Sequence, residues 1–196
     1  MRLLVLLLFF ATGVSAQPLA VTNTFSNSTV ADAEDINQNF ADIVNGVNAK
    51  LRSDNNANTA VGFEALYSNV GSGNTAVGRS ALFHNTLGHS NAASGLQALY
   101  RNTTGYYNSA AGYLALYSNT TGYENTASGA GALGANTTGY GNTAIGVSAL
   151  GGNTIGDSNT AVGQAVLSKN TEGRMNTAVG RSALFDNTTG EYNTAS

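Results

Sequence analysis

From Asn58 onward the chain obeys a period. Asparagine recurs at Asn58, Asn74, Asn91, Asn108, Asn125, Asn142, Asn159, Asn176 and Asn193, spaced by 17 residues after a first interval of 16. Read from that asparagine, the unit is Asn-Thr-Ala-x-Gly, two variable residues, Ala-Leu, two more, then Asn-Thr-x-Gly and a two-residue spacer. It is completed eight times and begun a ninth before Ser196. A fixed period of this kind stacks one structural turn on the next, and it constrains the fold more than any local propensity. Helical repeats need about 33 residues or more, and leucine-rich repeats need about 20 to 29 with several leucines. This unit is too short for either, and its glycine, asparagine and threonine suit short strands joined by turns.

The expected fold is therefore all-β: a parallel β-solenoid or β-roll over residues 58–196, one turn per unit. Strands are expected near Asn-Thr-Ala-x and near Ala-Leu-aromatic, with corners at the glycines. The steps that do not vary predict the filling. Leucine recurs from Leu66 and Leu82 through Leu184, and alanine from Ala60 and Ala76 through Ala178. One leucine beside an alanine, with one valine, makes a thin interior. The glycines after the first strand, Gly62, Gly78 and their equivalents, are expected where the backbone needs positive φ or where a β-carbon would collide with the next turn. Asn85, Asn102, Asn119, Asn136, Asn153, Asn170 and Asn187 are expected to form an amide ladder. So thin a core leaves a lone chain marginal, which predicts an oligomer.

Ahead of the repeats, Met1 to Ala16 has the form of a secretory signal peptide: Arg2, an apolar run from Leu3 to Ala11, and Val14-Ser15-Ala16 before Gln17. The run is too short to cross a bilayer of about 30 Å. Residues 17–28 read as a linker. Over 29–52, apolar Ala33, Ile36, Phe40, Ile43 and Val47 follow heptad spacing, with acids near the start and Lys50 and Arg52 near the end, which predicts one amphipathic helix. Residues 53–57 are a polar joint. No membrane span is expected in the mature chain, which is read as secreted or held at a cell surface.

Composition narrows the chemistry. Cysteine is absent, which rules out disulfides, thiol catalysis and thiolate metal sites. Charged residues make up 10% of the sequence and the net charge is −3, without a basic cluster, so nucleic acid is not an expected partner. His84 and His89 occur in one unit, without acids or a third histidine at metal-ligand spacing, and read as exposed variants. The acids Glu64, Glu124, Asp157, Glu172, Asp186 and Glu191 fall at different steps of the unit, unlike the paired carboxylates of glycoside cleavage. No catalytic residue, cofactor or metal site is expected, and the chain is read as non-enzymatic. Asn102, Asn119, Asn136 and Asn187 match the glycan acceptor pattern but read as ladder asparagines.

Two outward features remain. An aromatic row follows the leucine, at Tyr67, Phe83, Tyr100, Tyr117 and Phe185, joined by Tyr106, Tyr123 and Tyr140 from the spacer. Such rows pack within a solenoid, bury against another subunit or stack on sugars. Threonine files run through Thr59, Thr75, Thr126, Thr143, Thr160 and Thr177, and through Thr86, Thr103, Thr120, Thr137, Thr154, Thr171 and Thr188. Hydroxyl files suit ice binding, and strand propensity explains them equally well.

The recurring Asn-Thr-Ala-Val-Gly of residues 74–78, 159–163 and 176–180, with Asn-Thr-Ala-Ile-Gly at 142–146, resembles the head repeats of YadA-like trimeric autotransporter adhesins. The likeness covers nearly all of residues 58–196. It implies a left-handed parallel β-roll, a homotrimer, and exposed coils that bind host matrix or a surface glycan. Similar repeats occur in phage-type tail fibres, so a tail-fibre segment is the structural alternative and an ice-binding solenoid the binding-module one. The sequence departs from that family in its longer period, in its Ala-Leu pair and in lacking an anchor barrel. It stops partway through a unit, which predicts a fragment. Ligand-specific contacts are expected to vary at Phe63, Arg79, Leu96, Tyr113, Ala130, Val147, Gln164 and Arg181.

Overall fold

A computed structural model describes residues 57–196 together with the backbone of Arg52–Ser53. The expected signal peptide and linker and nearly all of the expected helix lie outside the described residues. Arg52, at the helix's expected end, is paired in a strand. The described part is an all-β solenoid with one turn per 17-residue unit. Strands β2 (Thr59–Val61), β3 (Thr75–Val77), β4 (Ala92–Ser94), β5 (Ser109–Ala111), β6 (Thr126–Ser128), β7 (Thr143–Ile145), β8 (Thr160–Val162), β9 (Thr177–Val179) and β10 (Thr194–Ala195) form one parallel sheet in sequence order. Register is kept step by step: Ala76 faces Ala93, Ala93 faces Ala110, and Ala144 faces Ala161. Strand β1 (Arg52–Ser53) pairs antiparallel with β2 and covers the outer edge of the first turn.

The strand alternation follows from sequence. In Thr-Ala-Val the central alanine points inward and its neighbours outward, as the period of two requires. Val61, Val77 and Val179 are exposed, so valine is not part of the filling as expected. The interior instead holds two alanines and a leucine per turn, for example Ala110, Ala115 and Leu116, and Val166 replaces one alanine.

The second expected strand, near Ala-Leu-aromatic, does not form. Its residues are in a turn, and the leucine of each Ala-Leu step, from Leu66 and Leu82 through Leu184, has φ between 49° and 53°. The reason is geometric. Ala115 and Leu116 are consecutive and both buried, whereas a strand would send one of them outward. A left-handed leucine brings both side chains inside, despite a cost of roughly 1–2 kcal/mol for a non-glycine residue. Stacking recovers backbone bonds within this turn: Leu116 N–H donates to Ala132 O of the next turn at 3.0 Å, and Leu114 N–H to Leu96 O of the previous one at 3.1 Å. The equivalents of Leu114 are left-handed too, including Ser80, Gln97 and Ser148.

The glycines after the strand behave as expected. Gly129 has φ of 139°, and a β-carbon there would strike the Gly146 carbonyl. The expected asparagine ladder is also present. Asn119 Nδ2 donates to Asn102 Oδ1 at 2.7 Å and to the Gly122 carbonyl at 2.9 Å. A second ladder, at the opening asparagine, accompanies it. Asn108 donates from both N–H and Nδ2 to Asn91 Oδ1, at 3.0 and 3.1 Å, and from Nδ2 to the same Gly122 carbonyl at 2.8 Å. The two ladders thus meet on one glycine oxygen per turn. Among the described residues every buried side-chain nitrogen and oxygen has a hydrogen-bond partner.

The single short interval is absorbed at the outward corner. The first turn lacks one residue between Asn69 and Gly71, and Val70 and Gly71 N–H both donate to Thr86 O. Asn74 N–H still reaches Asn58 Oδ1 at 2.8 Å, so both the ladder and the register survive.

Candidate functional site

With asparagine, alanine and leucine consumed by the interior, function rests on the outward steps. The expected single aromatic row is two files. The first follows the leucine: Tyr67, Phe83, Tyr100 and Tyr117 stack with centroids 5.0, 5.3 and 5.3 Å apart and planes within 20°. His84 packs edge-on against Phe83 and Tyr100, and the Arg101 guanidinium lies 5.4 Å from the Tyr117 centroid. The same step then carries Gly134, Gly151 and Ser168 before Phe185. Phe185 is therefore not in the stack. It lies 5.0 Å from Lys169 Nζ, and that ammonium is 2.7 Å from Asp186.

The second file occupies the spacer. His89, Tyr106, Tyr123 and Tyr140 stack at 5.0, 4.9 and 4.9 Å. It continues as charge: Arg174 Nε is 3.7 Å from Asp157, which is buried, and 3.2 Å from Glu191. The Tyr123 hydroxyl is held above the ordinary tyrosine pKa, first by burial and then by Tyr140 and Tyr106 on either side. His89 thus begins one aromatic file and His84 flanks the other edge-on, roles their lone occurrence in one unit did not reveal.

The stacks come from the period. Turns about 4.8 Å apart place equivalent rings at offset-stacking distance, where each pair is worth roughly 0.5–1.5 kcal/mol. The same geometry limits what they bind. Phe83, Tyr100, Tyr106 and Tyr123 have a ring on each face, so they offer only edges and hydroxyls. Open faces are left to the ends of the files.

The threonine files divide. Thr103, Thr120, Thr137 and Thr154 each donate Oγ1 to the carbonyl of the next threonine at 3.0 Å, so these hydroxyls belong to the corner. The strand file points outward and is interrupted by Ala92 and Ser109. The glycan-acceptor matches Asn102, Asn119 and Asn136 are buried with Nδ2 bonded, which closes them to glycosylation in the folded chain. The variable step after the first glycine is outward: Phe63, Leu96, Tyr113 and Val147 are exposed, and Arg79 lies 5.8 Å from the Phe63 centroid. Among the described residues no group of three or more His, Asp or Glu is placed to hold a metal ion. Among the described residues no helix is long and apolar enough to cross a membrane. No protein family, curated protein or solved structure matches the chain.

Proposed function

We propose that this chain is the repeat head of an exported surface fibre, a non-enzymatic attachment module that assembles as a homotrimer and binds matrix or a surface glycan. The observation that carries the reading is the unbroken register, which lines up outward side chains of one kind along successive turns, as in the aromatic stacks at 4.9 to 5.3 Å. Such a surface binds through many equivalent weak contacts, and three chains multiply them, so strength comes from avidity. The exposed apolar side chains Val61, Val77 and Ile145 at the strand ends, with Phe63, Tyr113 and Val147 just past the following glycine, supply area for chain-to-chain burial. The outward strand threonines favour an ice-binding reading, but Ala92 and Ser109 break their file, so attachment is preferred.

The test is sedimentation equilibrium of the full mature chain, with attachment of the purified protein to extracellular-matrix extract and to whole cells. A trimer that attaches supports the reading. A stable monomer that attaches to neither overturns it, and thermal hysteresis would move the assignment to ice.

A further inference from the structure

We infer that the break in the first aromatic file is a sugar-binding bay, in which the open face of Tyr117 takes the apolar face of a hexopyranose. The inference rests on the attachment reading and names its ligand class.

Tyr117 is stacked by Tyr100, the Arg101 guanidinium of the same turn as Tyr100 lies 5.4 Å from its centroid, and no second ring stacks on it among the described residues. The next turns carry Gly134 and Gly151 at this step, and Ser168 after them. The backbone does not call for glycine at either place. Neither has positive φ, and the same step holds tyrosine or phenylalanine in five other turns. Gly134 N–H bonds the Gly131 carbonyl at 3.1 Å just as Phe185 N–H bonds Ser182 at 3.1 Å, so local geometry that accepts a phenylalanine is kept while the side chain is gone.

The result is a gap four turns long between Tyr117 and Phe185, about 19 Å at ~4.8 Å per turn. Its floor is Gly134, Ala135, Gly151 and Gly152. At the far end is the Lys169–Asp186 pair, with both side chains exposed, at 57% and 80%. An aromatic face at one end and a cation with a carboxylate at the other suit a short oligosaccharide. C–H groups of one pyranose stack on the ring, and hydroxyls further along accept from Lys169 and donate to Asp186.

The spacer file shows what the bay is not. There the turn after Tyr140 carries Asp157, buried and paired with Arg174, in place of a glycine. The step after Tyr140 thus carries an ion pair, whereas the step after Tyr117 carries no side chain.

The probes are cellobiose and N,N′-diacetylchitobiose, titrated into the full mature chain and followed by amide and aromatic NMR shifts. Expected are shifts at Tyr117 and Gly134 with either disaccharide, weakened about tenfold or more by Tyr117→Ala, which corresponds to about 1.4 kcal/mol. Gly134→Tyr should continue the stack, keep the protein folded and abolish the shifts. Tyr123→Ala, in the other file, should leave them unchanged. Absence of shifts with both probes, or shifts that persist in Gly134→Tyr, overturns the bay. Matrix attachment assayed on the same proteins separates the two proposals. Attachment that survives Gly134→Tyr without disaccharide binding keeps the fibre-head reading and removes the bay, and wild-type protein that attaches to nothing removes the fibre-head reading itself.

Discussion

Around Leu116 the interior of the coil consists of alanine and leucine; around Asn119 it consists of amides and a glycine carbonyl. Both are fully buried, yet they hold the coil differently. The apolar part draws each turn out of water, but leucine packs on leucine without direction, so it tolerates small shifts of one turn over the next. The amide part is directional. Asn119 donates to the turn before it and accepts from Asn136 of the turn after it, so any slip breaks several bonds. Burial supplies attraction in this molecule, and the ladders supply register.

The largest effect is expected where the amide part is most crowded. A β-carbon at Gly122 would strike Asn119 Oδ1 and the Gly139 carbonyl, and Gly122's own carbonyl oxygen is where Asn108 and Asn119 of the two ladders meet. Gly122→Ala should therefore cost about 4–5 kcal/mol or prevent folding, read from urea unfolding followed by circular dichroism. Asn119→Leu keeps the branched outline of the side chain but is bulkier, and it leaves Asn102 Oδ1 and one Gly122 lone pair without their donor and Asn136 Nδ2 without one of its acceptors. A loss of about 3–4 kcal/mol is expected. Leu116→Ala opens a cavity and should cost about 2–4 kcal/mol with the ladders intact. The two parts are distinguished by hydrogen exchange: Asn119→Leu should speed exchange in turns on both sides, whereas Leu116→Ala should act mainly within its own. Equal spread in both variants would break the comparison.

The smallest effect concerns pH. Because Tyr123 holds its proton more tightly when folded, its contribution is complete below the unfolded tyrosine value near 10 and is lost as pH rises through the higher folded value. Urea midpoints should fall above pH 10, and Tyr123→Phe should flatten that fall. An unchanged slope would mean that the ring's surroundings do not resist its ionisation.

Much of this was legible beforehand. The recurring Asn102, Asn119 and Asn136 announced a ladder because identical amides one turn apart satisfy one another. The opening asparagine recurs just as regularly, and its burial was missed because it heads a strand and was read only as the start of the unit. The consecutive Ala115 and Leu116 carried a signal that went unread: two adjacent invariant apolar residues cannot share one face of a strand. The aromatic residues were found one by one, but their division into two files depends on which corner each step reaches.

The chain's own period determined that turns stack, which steps align and which side chains repeat along the coil, because stacking neighbours are set by spacing alone. Only the tertiary structure decided how each turn closes, with one strand in place of two and leucines at positive φ. Those backbone angles are tolerated because the turns above and below bond the same amides, and a single unit read in isolation contains neither neighbour.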